Sequence, residues 1–113
     1  MVAEAAGRTA ERRAAWLLRL KGYHILAMRA RGSAGEIDIV AKRGKTVAFV
    51  EVKRRPTIEQ AAEAMSGHRL DRVVSAAHQL APRFAPAGED IRIDAILMAP
   101  GKWPRHLTNI WHG

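Results

Sequence analysis

Four charged residues have the types and the spacing for chemistry on a phosphate ester. Glu36 and Asp38 lie in Gly35-Glu36-Ile37-Asp38-Ile39-Val40, and Glu51 and Lys53 lie in Phe49-Val50-Glu51-Val52-Lys53. Both runs are rich in Ile, Val and Phe and read as strands, Glu36–Lys42 and Thr46–Arg54, separated by Arg43, Gly44 and Lys45. With Gly44 and Lys45 as a two-residue turn, glycine in the first central position suits type II′. That turn fixes a register: Lys42 opposite Val47, Val40 opposite Phe49, Asp38 opposite Glu51 and Glu36 opposite Lys53, all on one side of the sheet. The other side receives Ile37 with Val52, Ile39 with Val50 and Ala41 with Ala48, which are purely apolar pairs.

A cross-strand carboxylate pair, with Cβ atoms about 5 Å apart, is destabilising unless something sits between. A divalent cation supplies that counter-charge. Mg²⁺ or Mn²⁺ prefers oxygen ligands, is held by one or two carboxylates, and completes its shell with water and phosphate oxygens. Lys53, on the same side, then positions an attacking water, stabilises negative charge at phosphorus, or pairs with Glu36. The alternative is an ordinary salt-bridge cluster on an exposed face. Val40 and Phe49 on that side argue for burial, and buried carboxylates need partners. Glu11 adds a weaker signal. It lies three and seven residues before Ala14 and Leu18, so it points toward an apolar helical stripe, where it wants a metal or a base; Arg12 and Arg13 are at hand.

Charge points to a polyanionic partner. The chain of 113 residues carries a net charge of +8, which favours nucleic acid over a membrane surface. Residues 1–55 hold thirteen basic and five acidic side chains, whereas residues 56–113 hold six of each. The N-terminal half therefore carries the field. The absence of cysteine excludes disulfides, a thiolate nucleophile and cysteine-bound zinc. No apolar run reaches the roughly 18 residues of a membrane helix, and Glu4 and Arg8 interrupt any signal-peptide core. The expectation is a cytoplasmic protein of one domain, residues 1–113.

The elements that must position the site follow from periodicity. A helix is expected from Ala3 to Lys21, on the spacing of Ala10, Ala14, Leu17 and Leu18, with Gly22 as its stop. Tyr23–Arg31 reads as a strand preceding the hairpin. Ile58–Met65 reads as a short helix, and Arg69–Leu80 as a full one closed by Pro82 and Pro86. Ile91–Met98 is a strand, and Leu107–Trp111 a last one after a Pro-Gly turn. The sum is a mixed α/β sheet of about five strands flanked by helices. The five histidines lack the spacing of a metal site and read as surface residues, and Asp94 pairs with Arg92 or Arg69. Trp103 and Trp111 are core, dimer contacts or base-stacking platforms, and in a chain with only six aromatic residues core is the first reading.

Gly35-Glu36-Ile37-Asp38-Ile39-Val40 followed by Phe49-Val50-Glu51-Val52-Lys53-Arg54-Arg55 resembles the signature of the YraN-like family, small bacterial proteins of the PD-(D/E)xK nuclease superfamily. Glu11, Leu18, Gly22, Tyr23, Arg69 and Arg92-Ile93-Asp94 continue the likeness, from about Gly7 to Met98. The resemblance implies a restriction-endonuclease-like core, related to Holliday-junction resolvases. It makes Asp38 and Glu51 metal-binding carboxylates, with the carbonyl of Val52 beside them, Lys53 the catalytic lysine, and Glu36 and Glu11 auxiliary acids. The implied function is Mg²⁺- or Mn²⁺-dependent hydrolysis of DNA, branched or damaged DNA included. Arg54 and Arg55, with Arg29 and Arg31 one strand away, are placed to contact flanking phosphates without reading sequence. A symmetric homodimer is the usual way to cut two strands. Family members commonly carry asparagine where this chain has Arg29, and glycine where it has Ala10. The competing readings are a non-catalytic nucleic-acid-binding protein that keeps the fold, and a basic assembly factor whose acidic cluster is only a salt-bridge network.

Overall fold

Rich in alanine and free of proline, the first segment forms α1 (Val2–Leu20). The computed structural model describes the backbone of residues 2–111 and the side chains of residues 7–111. Gly22, at φ 92°, ends the helix. Its left-handed backbone lets the Tyr23 N–H donate to the Leu18 carbonyl at 2.9 Å and the Gly22 N–H to the Arg19 carbonyl at 3.0 Å, so the last carbonyls are satisfied. Five strands follow, with two helices between the third and the fourth: β1 (His24–Gly32), β2 (Gly35–Arg43), β3 (Thr46–Arg54), α2 (Ile58–Glu63), α3 (His68–Phe84), β4 (Asp90–Met98) and β5 (Arg105–Leu107).

The strands lie in the order β1-β2-β3-β4-β5. All pairs are antiparallel except β3 with β4, which run parallel and need the α2–α3 crossover between them. Two apolar layers hold the helices on the sheet. Ala10, Ala14 and Leu18 of α1 pack with Ile39, Ala48 and Val50, while Val73, Ala77 and Leu80 of α3 pack with Val40, Phe49 and Ile93. This is the mixed α/β sheet, flanked by helices, that the periodicity predicts. Among the described residues no helix is long and apolar enough to cross a membrane.

The hairpin turn is as expected. Gly44 takes φ 60°, Lys45 does not share the positive value, and Arg43 pairs with Thr46, the pattern of a type II′ turn. Two boundaries differ from the sequence reading by more than two residues. The α3 helix runs through Pro82 to Phe84; in the last turn the proline costs one missing N–H, and Phe84 gains an edge contact with Phe49 at 6.4 Å between centroids. The last strand is Arg105–Leu107, not Leu107–Trp111. Beyond it Asn109 turns at φ 56° and donates its N–H to a carboxylate, Asp94, instead of extending the ladder.

A side chain at Gly22 meets no crowding, since the nearest atom to an added Cβ is Arg43 Cδ at 3.7 Å. Any cost of Gly22→Ala is therefore conformational. We expect a loss of about 1–2 kcal/mol in urea unfolding; an unchanged midpoint would show that the helix end does not depend on this residue.

Candidate functional site

The central strands part company where the charged residues begin. The β2–β3 ladder runs from Arg43↔Thr46 to Ile39↔Val50 and there ends. Beyond that point β2 stays paired with β1 as far as Gly32↔Gly35, and β3 stays paired with β4 as far as Arg54↔Met98. Asp38 and Glu51 are thus the first residues past the last shared pair, at the mouth of the opening. The Val52 N–H, released from the ladder, donates to Asp38 Oδ2 at 2.8 Å. A carboxylate takes the place of a strand.

A second irregularity sits opposite. Between the pairs Met28↔Ile39 and Ala30↔Ile37, Arg29 adopts φ 52°. Strict alternation would send residues three apart to opposite faces, yet Ala27 and Ala30, and likewise Ile37 and Val40, pack into the α3 layer. The expected face pattern is corrected accordingly. Ile37 does not join Ile39 on the α1 side, and Val40 and Phe49 are buried as expected but in the α3 layer, not on the face of Asp38. Asp38 and Glu51 instead line a cavity of about 370 Å³ together with Gly7, Ala10 and Glu11 of α1 and Val52, Lys53, Arg54 and Arg55 of β3 and its end.

Electrostatics in this cavity are unbalanced. Burial, followed by the charge and hydrogen bond of neighbouring Glu51, pushes the Asp38 carboxyl up to about 7, against the opposing pull of the Val52 N–H and the Lys53 charge. Lys53 is itself buried and pairs with Glu51 Oε2 at 2.9 Å. The second oxygen, Glu51 Oε1, is buried and has no hydrogen-bond partner while Asp38 is ionised, a costly state for a carboxylate. Two carboxyl groups in reach of each other, one drawn toward protonation and the other with an orphaned oxygen, fit the donor set of a hard cation with one or two protein carboxylates. Among the described residues no group of three or more His, Asp or Glu side chains converges.

The remaining residues singled out in the sequence divide between the cavity and its surroundings. Glu11 reaches the cavity and is bound there by Arg29 Nε at 2.8 Å; neither Arg12 nor Arg13 holds it. Glu36 does not oppose Lys53 and is not at the cavity. With the β2–β3 ladder ended, it faces β1, where Arg31 pairs with it at 3.2 Å in an exposed position. Arg54 is exposed and Arg55 half-buried, its guanidinium donating to the Arg54 carbonyl.

The profile of the "Uncharacterised protein family UPF0102" matches residues 10–98, which contain every carboxylate of the cavity. This chain belongs to UPF0102. Its likeness to named members runs nearly end to end: 55% identity over 109 residues with a UPF0102 protein of Sphingopyxis alaskensis, covering 96% of this chain and 94% of the other. A UPF0102 protein of Erythrobacter litoralis is 56% identical over 110 residues, covering 97% and 95%. One from Methylorubrum extorquens is 47% identical over 104 residues, covering 91% and 81%. The YraN-like resemblance read from the hairpin is thus the family to which the chain belongs.

Two features of this UPF0102 chain go beyond the sequence reading. The first is a buried polar cluster on β4, of which that reading held only the pair of Asp94 with Arg92. Asp94 is fully buried, takes Arg92 Nη2 at 2.7 Å, His106 Nε2 at 2.8 Å and the Asn109 N–H at 3.0 Å, and Arg92 also donates to the Tyr23 hydroxyl. His106 is therefore structural, not superficial, and Lys21 Nζ meets its other nitrogen at 2.6 Å, leaving the Nε2 proton directed at Asp94. Of the other histidines, His24, His68 and His78 are exposed, and His112 lies outside the described residues. The second feature is aromatic. Trp111 packs against the α3 layer as expected, but Trp103 is 92% exposed, because it sits in the turn after β4 with no element above it, and Trp16 on α1 is 63% exposed. Its helical neighbour Leu20, four residues on and exposed as well, was the available signal, an apolar pair off the core stripe.

Two measurements follow. The folded Asp38 carboxyl holds its proton to about 7, whereas the ordinary value is 3.8. Unfolding in that interval releases a proton, so stability in chelator falls as pH rises from about 4 to about 7. Asp38→Asn, which keeps an acceptor for the Val52 N–H, should remove that fall and gain on the order of 2–4 kcal/mol at pH 8; equal pH dependence in both proteins would contradict the assignment. Asp94 is the opposite case. Burial raises its pKa, but the hydrogen bonds from His106, Arg92 and the Asn109 N–H together hold it below the usual carboxylate range. Its stabilisation is present above the unfolded value and lost as pH falls through the lower folded one. Asp94→Ala should cost about 3–5 kcal/mol in denaturant unfolding near pH 7, and a loss below about 1 kcal/mol would show that the cluster is not stabilising.

Proposed function

We propose that this protein is a metal-dependent nuclease of the restriction-endonuclease-like kind, hydrolysing phosphodiester bonds in DNA in the cytoplasm. The observation that carries the reading is the parted hairpin. It brings Asp38, Glu51 and Lys53 to one cavity and leaves a buried carboxylate oxygen of Glu51 unpartnered. A structural salt bridge needs only one carboxylate for Lys53, and the second carboxylate, drawn toward protonation beside it, has no role in such a bridge.

In this reading Asp38, Glu51 and the carbonyl of Val52 hold Mg²⁺ or Mn²⁺. When bound, such an ion supplies positive charge against the phosphate and makes water more acidic. The chain's own residues do the rest. Lys53, fixed by Glu51 at 2.9 Å, orients the attacking water or stabilises the negative charge that builds on the phosphate oxygens. Water adds to phosphorus, the bond to one ester oxygen breaks, and that oxygen takes up a proton. Arg54 and Arg55, at the cavity rim, contact neighbouring phosphates. Glu11 completes the acidic lining, with Arg29 limiting its charge. Glu36 and Arg31, paired with each other in the open, contribute at most to the outer surface.

Calorimetric titration with Mn²⁺ and a cleavage panel of branched, flapped and linear DNA test the reading. Wild type should bind the ion and cut at least one substrate. Asp38→Ala should abolish both while leaving DNA affinity intact or higher, because a negative charge near phosphate is removed. Lys53→Met should keep Mn²⁺ binding and lose about a hundredfold or more in cleavage rate. A wild-type protein that binds DNA but no Mn²⁺ would instead favour a non-catalytic nucleic-acid-binding role.

A further inference from the structure

A groove of about 630 Å³ runs along the outer side of α1, between that helix and the turn that follows β4. Its walls carry the two exposed indoles, Trp16 and Trp103, with Leu20 beside the first. Arg13, Arg54 and Lys102 also line it. Among the described residues no carboxylate lines the groove, and none of these three cations pairs with one. Arg19 lies 5.1 Å from the Trp16 ring centroid, which steadies that ring and adds a further cation nearby. Ala10 and Arg54 line both this groove and the cavity of Asp38 and Glu51. The two hollows are neighbours.

We infer that this groove holds an unpaired, single-stranded segment of DNA next to the scissile bond, with bases stacked on Trp16 and Trp103 and phosphates against Arg13, Arg54 and Lys102. Flat apolar faces interleaved with cations, and no anion, complement a chain that alternates planar bases with negative phosphates. Duplex DNA presents its phosphates but keeps its bases stacked inside, so it cannot use the indoles. The continuity through Arg54 places the single strand beside the cavity. The substrate class is therefore DNA in which a single strand adjoins the cleaved position, such as a flap, a gap or a branch. The inference rests on the nuclease reading for the meaning of that cavity, but the binding itself requires no metal.

The test is fluorescence anisotropy of a labelled oligothymidylate and of a blunt duplex, both with the full-length protein in EDTA, alongside sedimentation velocity. Trp16→Ala and Trp103→Ala should each weaken single-strand binding by about five- to hundredfold, with duplex binding changed by about twofold or less. Lys102→Ala should lower the slope of log affinity against log salt by about 0.7 on the single strand. Single-strand affinity that survives both tryptophan substitutions, or that falls equally with duplex affinity, overturns the inference. So does a wild-type dimer that Trp103→Ala converts to monomer without loss of single-strand binding, since the groove then belongs to a second copy. Should an alanine variant fail to fold, Trp103→Phe and Trp103→Leu decide: phenylalanine must retain several-fold more affinity than leucine. A wild type that binds the oligonucleotide through both indoles yet cuts nothing with Mn²⁺ would sink the nuclease reading alone.

Discussion

A single hydrogen bond marks the constraint on which this molecule turns: the N–H of Val52 donates to the carboxylate of Asp38, not to a carbonyl of the adjoining strand. A buried N–H must find a partner, and a regular antiparallel pair would supply one. Once the side chain supplies it, β2 and β3 are free to follow their outer neighbours, β1 and β4, and a crevice opens in the middle of the sheet. The same bond fixes the orientation of Asp38. Site geometry and sheet topology are thus one feature described twice.

The opening is tolerable because the rest of the sheet is firmly closed. Ile39, Ala48 and Val50 are fully buried under α1, and Phe49 and Val40 are fully buried under α3. The Asp94 cluster ties the far strand to the end of α1, through Arg92 to Tyr23 and through His106 to Lys21. Stability is concentrated away from the cavity, where charges stand close and one oxygen has no partner. Such an imbalance, paid for by a well-packed scaffold, is common where a side chain must do chemistry.

Much of this was legible in residue order. Gly44 at the first turn position settled the register as far as Ile39 and Val50, and the helix stop at Gly22 followed from the spacing of α1. The region past Val50 was not legible, because strict alternation assumes that every N–H is taken by the ladder. A side-chain acceptor breaks that assumption; with the left-handed Arg29 opposite, Ile37 goes to the other layer and Glu36 is left to Arg31. The role of His106 was hidden for a related reason: a three-residue strand carries too short a pattern to reveal which way its members face. Trp103 was misread from composition, since scarce aromatics usually fill cores, but a turn with nothing above it cannot bury one.

The left-handed backbone at Arg29 bears on one of the two positions where this sequence departs from the residue that its resemblance leads one to expect. Asparagine tolerates φ near 52° better than other non-glycine residues. Arginine carries a penalty of about 1–2 kcal/mol there, and its bond to Glu11 offsets part of it. The exchange is therefore more than a change of surface charge. It trades a backbone that sits easily for a tether between strand and helix, and it leaves the acid on α1 neutralised from within the chain.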